Sequence, residues 1–153
     1  MTVAYVALGS NLGDREGTLR AAVDALAATT GIEVVALSRL LDTAPVGNVD
    51  QPRFLNGAVA LETELSAREL LDVLLAIEQR FGREREGVPP QGPRTLDLDL
   101  LVYGDAEIDE PGLRVPHPRL HERAFVLKPL AEIAPALEVP GKGPIQALLA
   151  GVH

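Results

Sequence analysis

The chain has 153 residues, 46% of them hydrophobic, and a formal net charge of −8. That length accommodates one ordinary domain with a sizeable core, and the acidic balance argues against a general binder of nucleic acid or anionic membranes. The lack of cysteine excludes disulfides and thiolate metal sites. No apolar run approaches the ~20 residues that span a bilayer, so a cytoplasmic protein is expected.

In chain order, the β-branched and aromatic run from Val3 to Leu8 predicts a strand ending at Gly9. Asp14 then caps a helix with Leu19, Ala22, Val23 and Leu26 at helical spacing, ending near Gly31. A strand over 32–43 follows, then a loop over 44–53 with two prolines and a glycine. Phe54 to Thr63 reads as the next strand, with Gly57 as a candidate bulge.

Ser66 and Glu69 form a capping box, after which Leu70, Leu74, Ile77 and Phe81 share one helix face and Gly82 stands just past the end. Residues 83–95 hold three prolines and two glycines, too many for regular structure, and a loop of this length inside a domain is usually functional or disordered. Both loops are expected to be mobile without ligand and to order when ligands bind. The run from Thr95 to Tyr103 is a strand, and residues 105–112 form a short excursion. The last helix is expected near Pro144–Ala150.

The order strand, helix, strand, strand, helix, strand predicts an α+β fold. It is a ferredoxin-like βαββαβ core, with a mainly antiparallel sheet and helices on one face, plus extra short strands and C-terminal helices. A single domain over residues 1–153 is expected.

The strand after the second loop contains Asp97 and Asp99 in an otherwise apolar run. Alternate residues of a strand share a face, so these carboxylates stand side by side, roughly 6–7 Å apart. Leu96, Leu98 and Leu100 face the opposite way. Unscreened, the pair repels; Mg²⁺ held by one or two carboxylates plus substrate phosphates would relieve it. On pattern alone, an ordinary half-exposed polar face explains the pair equally well. The arginines tilt the balance: of 12 in the chain, seven lie between Arg80 and Arg123. Guanidinium forks beside a carboxylate pair suit a metal–polyphosphate site. GSNLGD at residues 9–14 follows a strand and precedes a helix, but it lacks the Gly-Lys-Ser/Thr ending of a Walker loop.

Four blocks, ALGSNLGD, DQPRFLNGAVALET, PRTLDLDLLVYGD and VPHPRLHERAFVLKPLAEIAP, resemble 6-hydroxymethyl-7,8-dihydropterin pyrophosphokinases. The resemblance runs from Val3 to about Pro140. It implies a ferredoxin-like core and transfer of diphosphate from ATP to the hydroxymethyl group of the pterin, with release of AMP, in folate biosynthesis. It implies Asp97 and Asp99 as ligands of two Mg²⁺ ions. Arg83, Arg85 and Arg94 would close over the triphosphate, with Glu78, Leu100, His117 and Arg123 as further ATP-binding positions. Asn56 would hydrogen-bond the pterin, Phe54 and Phe125 would sandwich it, and Thr43 and Val46 would meet its edge. Gln91 departs from relatives that carry tryptophan there. A monomer with small-molecule substrates only is expected.

Overall fold

A computed structural model describes residues 1–43, 53–81 and 96–152. The ferredoxin-like succession comprises β1 (Thr2–Ser10), α1 (Arg15–Ala27), β2 (Ile32–Leu37), β3 (Leu41–Thr43), β4 (Phe54–Thr63), α2 (Ala67–Arg80) and β5 (Asp97–Tyr103). The sheet order is β2–β4–β1–β5, with β3 also on β4 and every pairing antiparallel. Local chemistry explains the helix starts. The Asp14 side chain accepts from the Gly17 N–H at 3.1 Å. In the capping box of α2, the Glu69 N–H donates to Ser66 Oγ at 3.1 Å, and Glu69 Oε1 accepts from the Ser66 N–H at 2.9 Å.

The expected strand over 32–43 is two strands. Residues 38–40 leave the ladder, and β2 and β3 pair with successive parts of β4. Gly57 makes this break possible: a Cβ there would stand 2.8 Å from Leu40 Cδ2 and 3.3 Å from Ser38 Oγ. Gly57 is therefore not a bulge, and the β1–β4 register runs through it unbroken. The irregularities fall elsewhere, between Val34 and Ala36 on β2 and opposite Tyr5–Val6 on β5. The first helix ends at Ala27, short of Gly31, which takes the left-handed turn (φ +87°) into β2.

Helices α1 and α2 cover one sheet face. Leu19 and Leu26 of α1 and Leu70, Leu74 and Ile77 of α2 pack on Val6, Leu8, Leu61, Leu98 and Leu100. Each fully buried leucine contributes about 2 kcal/mol. The C-terminal part covers the opposite face. After the hairpin β6 (Ile108–Glu110) and β7 (Leu113–Val115), a 3₁₀ turn leads to α3 (Ala124–Ile133). The short strands β8 (Glu138–Val139) and β9 (Gly143–Pro144) precede α4 (Ile145–Ala150). Leu127, Leu130 and Ile145 bury Leu101 and Val102, with Tyr5 and Ala7 packed alongside. Among the described residues, no helix is long and apolar enough to cross a membrane.

Candidate active site

The antiparallel register lines up residues from four strands. Asp97 of β5 stands across from Gly9 of β1, Gly9 across from Asn56 of β4, and Asn56 across from Leu41 of β3. Directly paired residues point to the same face, which here is the face that α3 covers further along. One step along, Asp99 pairs with Ala7. Both aspartates are half-buried and have only small residues beside them on β1. Leu98 and Leu100 face the α1–α2 core, and Leu100 is 6% exposed, leaving its backbone as the group available to a ligand.

Gly9 has a steric role. A Cβ at this position would lie 3.1 Å from Asn56 Oδ1 and 3.8 Å from Asp97 Cβ. With no side chain here, β1 itself puts nothing between the carboxylate and the amide. Asn56 is itself 8% exposed, and its Nδ2 donates to Thr43 Oγ1 at 2.5 Å. That bond sets which way the amide faces. Phe54 lies two residues before Asn56 on the same face, paired with Thr43.

Thr43 and Arg53 flank the undescribed residues 44–52, and charges fasten both ends. Asp42 accepts from Arg15 at 3.3 Å and from Arg53 at 2.8 Å, while Arg15 also donates to the Arg53 carbonyl at 2.8 Å. The hydrogen bonds from Arg15 and Arg53 hold the Asp42 carboxyl below its ordinary value. Sequence reasoning missed this clamp, since nothing local in the sequence pairs Arg15 with Asp42.

Behind β5 stands Glu78 of α2. It is 1% exposed, and its Oε2 accepts from the Leu98 N–H at 2.8 Å, between the two aspartates. Further along β5, the His117 N–H donates to the Leu101 carbonyl at 2.9 Å. His117 Nδ1 accepts from the Arg119 N–H at 3.1 Å, which assigns the proton of the neutral ring to Nε2. Burial, then the charges of Arg123, Arg119 and Lys142, pushes the His117 pKa below the ordinary histidine value. Its neutral, Nε2–H donor form is therefore favoured. The Arg123 guanidinium carbon lies 5.7 Å from the Phe125 ring centroid, a cation–π contact at the start of α3.

The structure thus assembles Asp97, Asp99, Asn56, Phe54 and Thr43 along one sheet face, with Glu78 and His117 bound to the backbone of β5. Val46, Arg83, Arg85, Arg94 and Gln91 lie outside the described residues, as do all but Arg53 of the two loops expected to be mobile. Among the described residues, no third His, Cys, Asp or Glu joins the aspartate pair to complete a metal cluster. Two carboxylates suit Mg²⁺, which retains waters and takes further oxygens from a phosphate substrate. A shallow cavity of about 350 Å³ between Pro116 and Lys142 is lined by neither aspartate.

The sequence matches, over residues 5–135, the family model described as 7,8-dihydro-6-hydroxymethylpterin-pyrophosphokinase. It is 51% identical over 148 residues to the 2-amino-4-hydroxy-6-hydroxymethyldihydropteridine pyrophosphokinase of Methylorubrum extorquens, covering 97% of this chain and 92% of that one. It is 48% identical over 146 residues to the same-named protein of Pseudomonas aeruginosa, covering 95% and 89%. Among solved structures, the fold is similar to Plasmodium falciparum HPPK-DHPS with SDX-DHP, with a TM-score of 0.72 at 14% identity over 99% of this chain and 43% of that one. It is also similar to an HPPK-DHPS in complex with substrates, with a TM-score of 0.78 at 12% identity over 98% and 43%. The chain spans less than half the length of these two proteins, and at such identities the likeness concerns the fold alone.

Proposed function

The chain belongs to the 7,8-dihydro-6-hydroxymethylpterin-pyrophosphokinase family, and from that premise we propose how its residues divide the work. The reaction moves diphosphate from ATP to the hydroxymethyl group of 6-hydroxymethyl-7,8-dihydropterin, releasing AMP, in folate biosynthesis. The hydroxyl oxygen bonds to the β-phosphorus as the bond from that phosphorus to the α–β bridging oxygen breaks. AMP departs and the hydroxyl proton is released.

One observation carries the assignment of residues: Asp97, Gly9 and Asn56 lie in a single cross-strand row on one face. The row has an anionic end and an amide end with a side-chain-free position between them. Asn56, oriented by Thr43, reads the pterin, and Phe54 and Phe125 hold its two faces. The backbone of Thr43 and Val46 meets its edge. This orientation brings the hydroxymethyl group toward the aspartates, and alignment of two substrates supplies much of the rate.

At the other end, Asp97 and Asp99 hold two Mg²⁺ ions. When bound, the metal neutralises the polyphosphate charge that develops during transfer. Arg83, Arg85 and Arg94 contact the phosphate oxygens, as does Arg123. His117 presents its Nε2–H to a phosphate, and the Leu100 backbone borders the adenine. Residues 1–153 act as one domain, as a cytoplasmic monomer.

Incubation with ATP, Mg²⁺ and 6-hydroxymethyl-7,8-dihydropterin, followed by nucleotide separation, tests the reaction. Pterin-dependent AMP without ADP is expected. ADP would replace diphosphate transfer by γ-phosphoryl transfer. Pterin binding without turnover would make the chain a sensor.

A further inference from the structure

Glu78 is the one fully buried ionisable side chain among the described residues. Burying a carboxylate is costly unless its charge is met by donors, and here one donor is a backbone amide. Leu98 N–H, which donates to Glu78 Oε2 at 2.8 Å, belongs to the peptide joining Asp97 to Leu98. Strand β5 lies at the end of the sheet order, so among the described residues no further strand of that sheet binds its outer edge. A charge-assisted bond from α2 fills that role at the residue between the two aspartates. Helix α2 is itself held firmly: the capping box fixes its start, and Leu70, Leu74 and Ile77 anchor it in the core.

We propose that Glu78 is a positioning residue for the metal-binding pair, fixing the spacing of Asp97 and Asp99 through the Leu98 backbone and not contacting ATP itself. This rests on the assignment of Asp97 and Asp99 as Mg²⁺ ligands. The two like charges must converge on a small cation that tolerates little error in ligand placement. An edge strand left to flex at Leu98 would let them diverge. Groups that orient metal ligands typically matter by 10–100-fold in metal affinity. The proposal replaces the expectation that Glu78 belongs among the ATP contacts, because the side chain is buried and its Oε2 is engaged by the Leu98 amide.

The test compares Glu78→Ala, Glu78→Gln and Glu78→Asp with the wild type and with Asp97→Ala. Mn²⁺ binding, in the presence of a non-hydrolysable ATP analogue, is followed by electron paramagnetic resonance. Leu98 amide exchange is followed by NMR. Glu78→Ala is expected to weaken Mn²⁺ binding on the order of tenfold, to raise the Mg²⁺ concentration for half-maximal rate and to speed Leu98 exchange. Glu78→Gln, which keeps an acceptor oxygen of the same reach, should recover most of all three. Metal-free binding of the analogue should be unchanged. If Glu78→Ala fails to fold, Glu78→Asp, one methylene shorter, should show the same changes in part.

Wild-type Mn²⁺ affinity in a folded Ala or Asp variant overturns the proposal. So does weakened metal-free nucleotide binding in both Ala and Gln, since it would make Glu78 a direct contact. Mn²⁺ binding unaffected by Asp97→Ala would instead overturn the underlying metal assignment and with it the positioning role. Leu98 exchange would then still report whether Glu78 braces the strand.

Discussion

Asp97 stands directly across the β1–β5 ladder from Gly9, so between the carboxylate and the Asn56 amide on the far side of β1 the strand leaves a gap that Gly9 does not fill. The family's reaction needs such a gap, since a flat heterocycle and a charged polyphosphate must meet within one site. The size of the gap follows from strand register and from one glycine.

Gly9→Ala should therefore act on the pterin side first. The added methyl meets Asn56 Oδ1 at 3.1 Å, closer than ordinary contact, while Asp97 Cβ at 3.8 Å is undisturbed. The KM for the pterin should rise roughly tenfold, about 1.4 kcal/mol, with ATP affinity unchanged. Isothermal titration with each substrate separates the two, and an equal loss in both would refute the assignment.

Asp97→Ala should lower turnover by at least about 10³-fold, the scale on which transition-state charge stabilisation is lost. Cooperative unfolding should persist, because Asp97 is half-buried at the margin of the core. AMP release and circular dichroism check the two halves. Wild-type Mg²⁺-dependent activity in the variant would remove Asp97 from the site.

Ser66→Ala addresses stability without touching the site. It removes the acceptor for the Glu69 N–H and should cost about 1 kcal/mol in urea unfolding. Because Glu78 lies three turns away on the same helix, kcat should change by less than about twofold. A large fall in kcat would mean that fraying of the α2 start reaches β5.

His117 gives a pH dependence of definite sign. Burial and neighbouring cations lower its folded pKa below the unfolded value near 6.5. The stability contributed by neutral His117 is complete above about pH 6.5 and is lost as pH falls through the lower, folded value. His117→Gln should flatten that part of the stability profile. Bound ATP phosphates should raise the pKa, so ATP binding near pH 6 takes up protons. Imidazole NMR titration with and without ATP reads both effects; a pKa unmoved by ATP would take His117 off the phosphate.

Local rules carried much of the fold. The α2 capping box, the whole of β4 and the shared face of Asp97 and Asp99 follow from patterns a few residues long. Features that depended on partners distant in sequence were not legible. The break at residues 38–40 needs Gly57 to accept Leu40, and Glu78 shows its role only through Leu98, twenty residues on. C-terminal helices were expected, but the place of α3 was hidden by Pro129, a breaker by local rules, although burial of Leu127 and Leu130 around it holds the helix. Gly9 read as the end of a strand, because its steric role exists only once β4 and β5 lie on either side.

The two-sided cover of the sheet has a consequence for how the chain is made. All five strands of the sheet are complete by Tyr103, but the helices that shield Tyr5, Ala7, Leu101 and Val102 come after residue 123. As the chain leaves the ribosome, the sheet can assemble while one apolar face is still bare, and transiently bare apolar faces promote aggregation. Burial of that face waits for α3 and α4 to emerge, so the newborn chain is most vulnerable just before α3 docks.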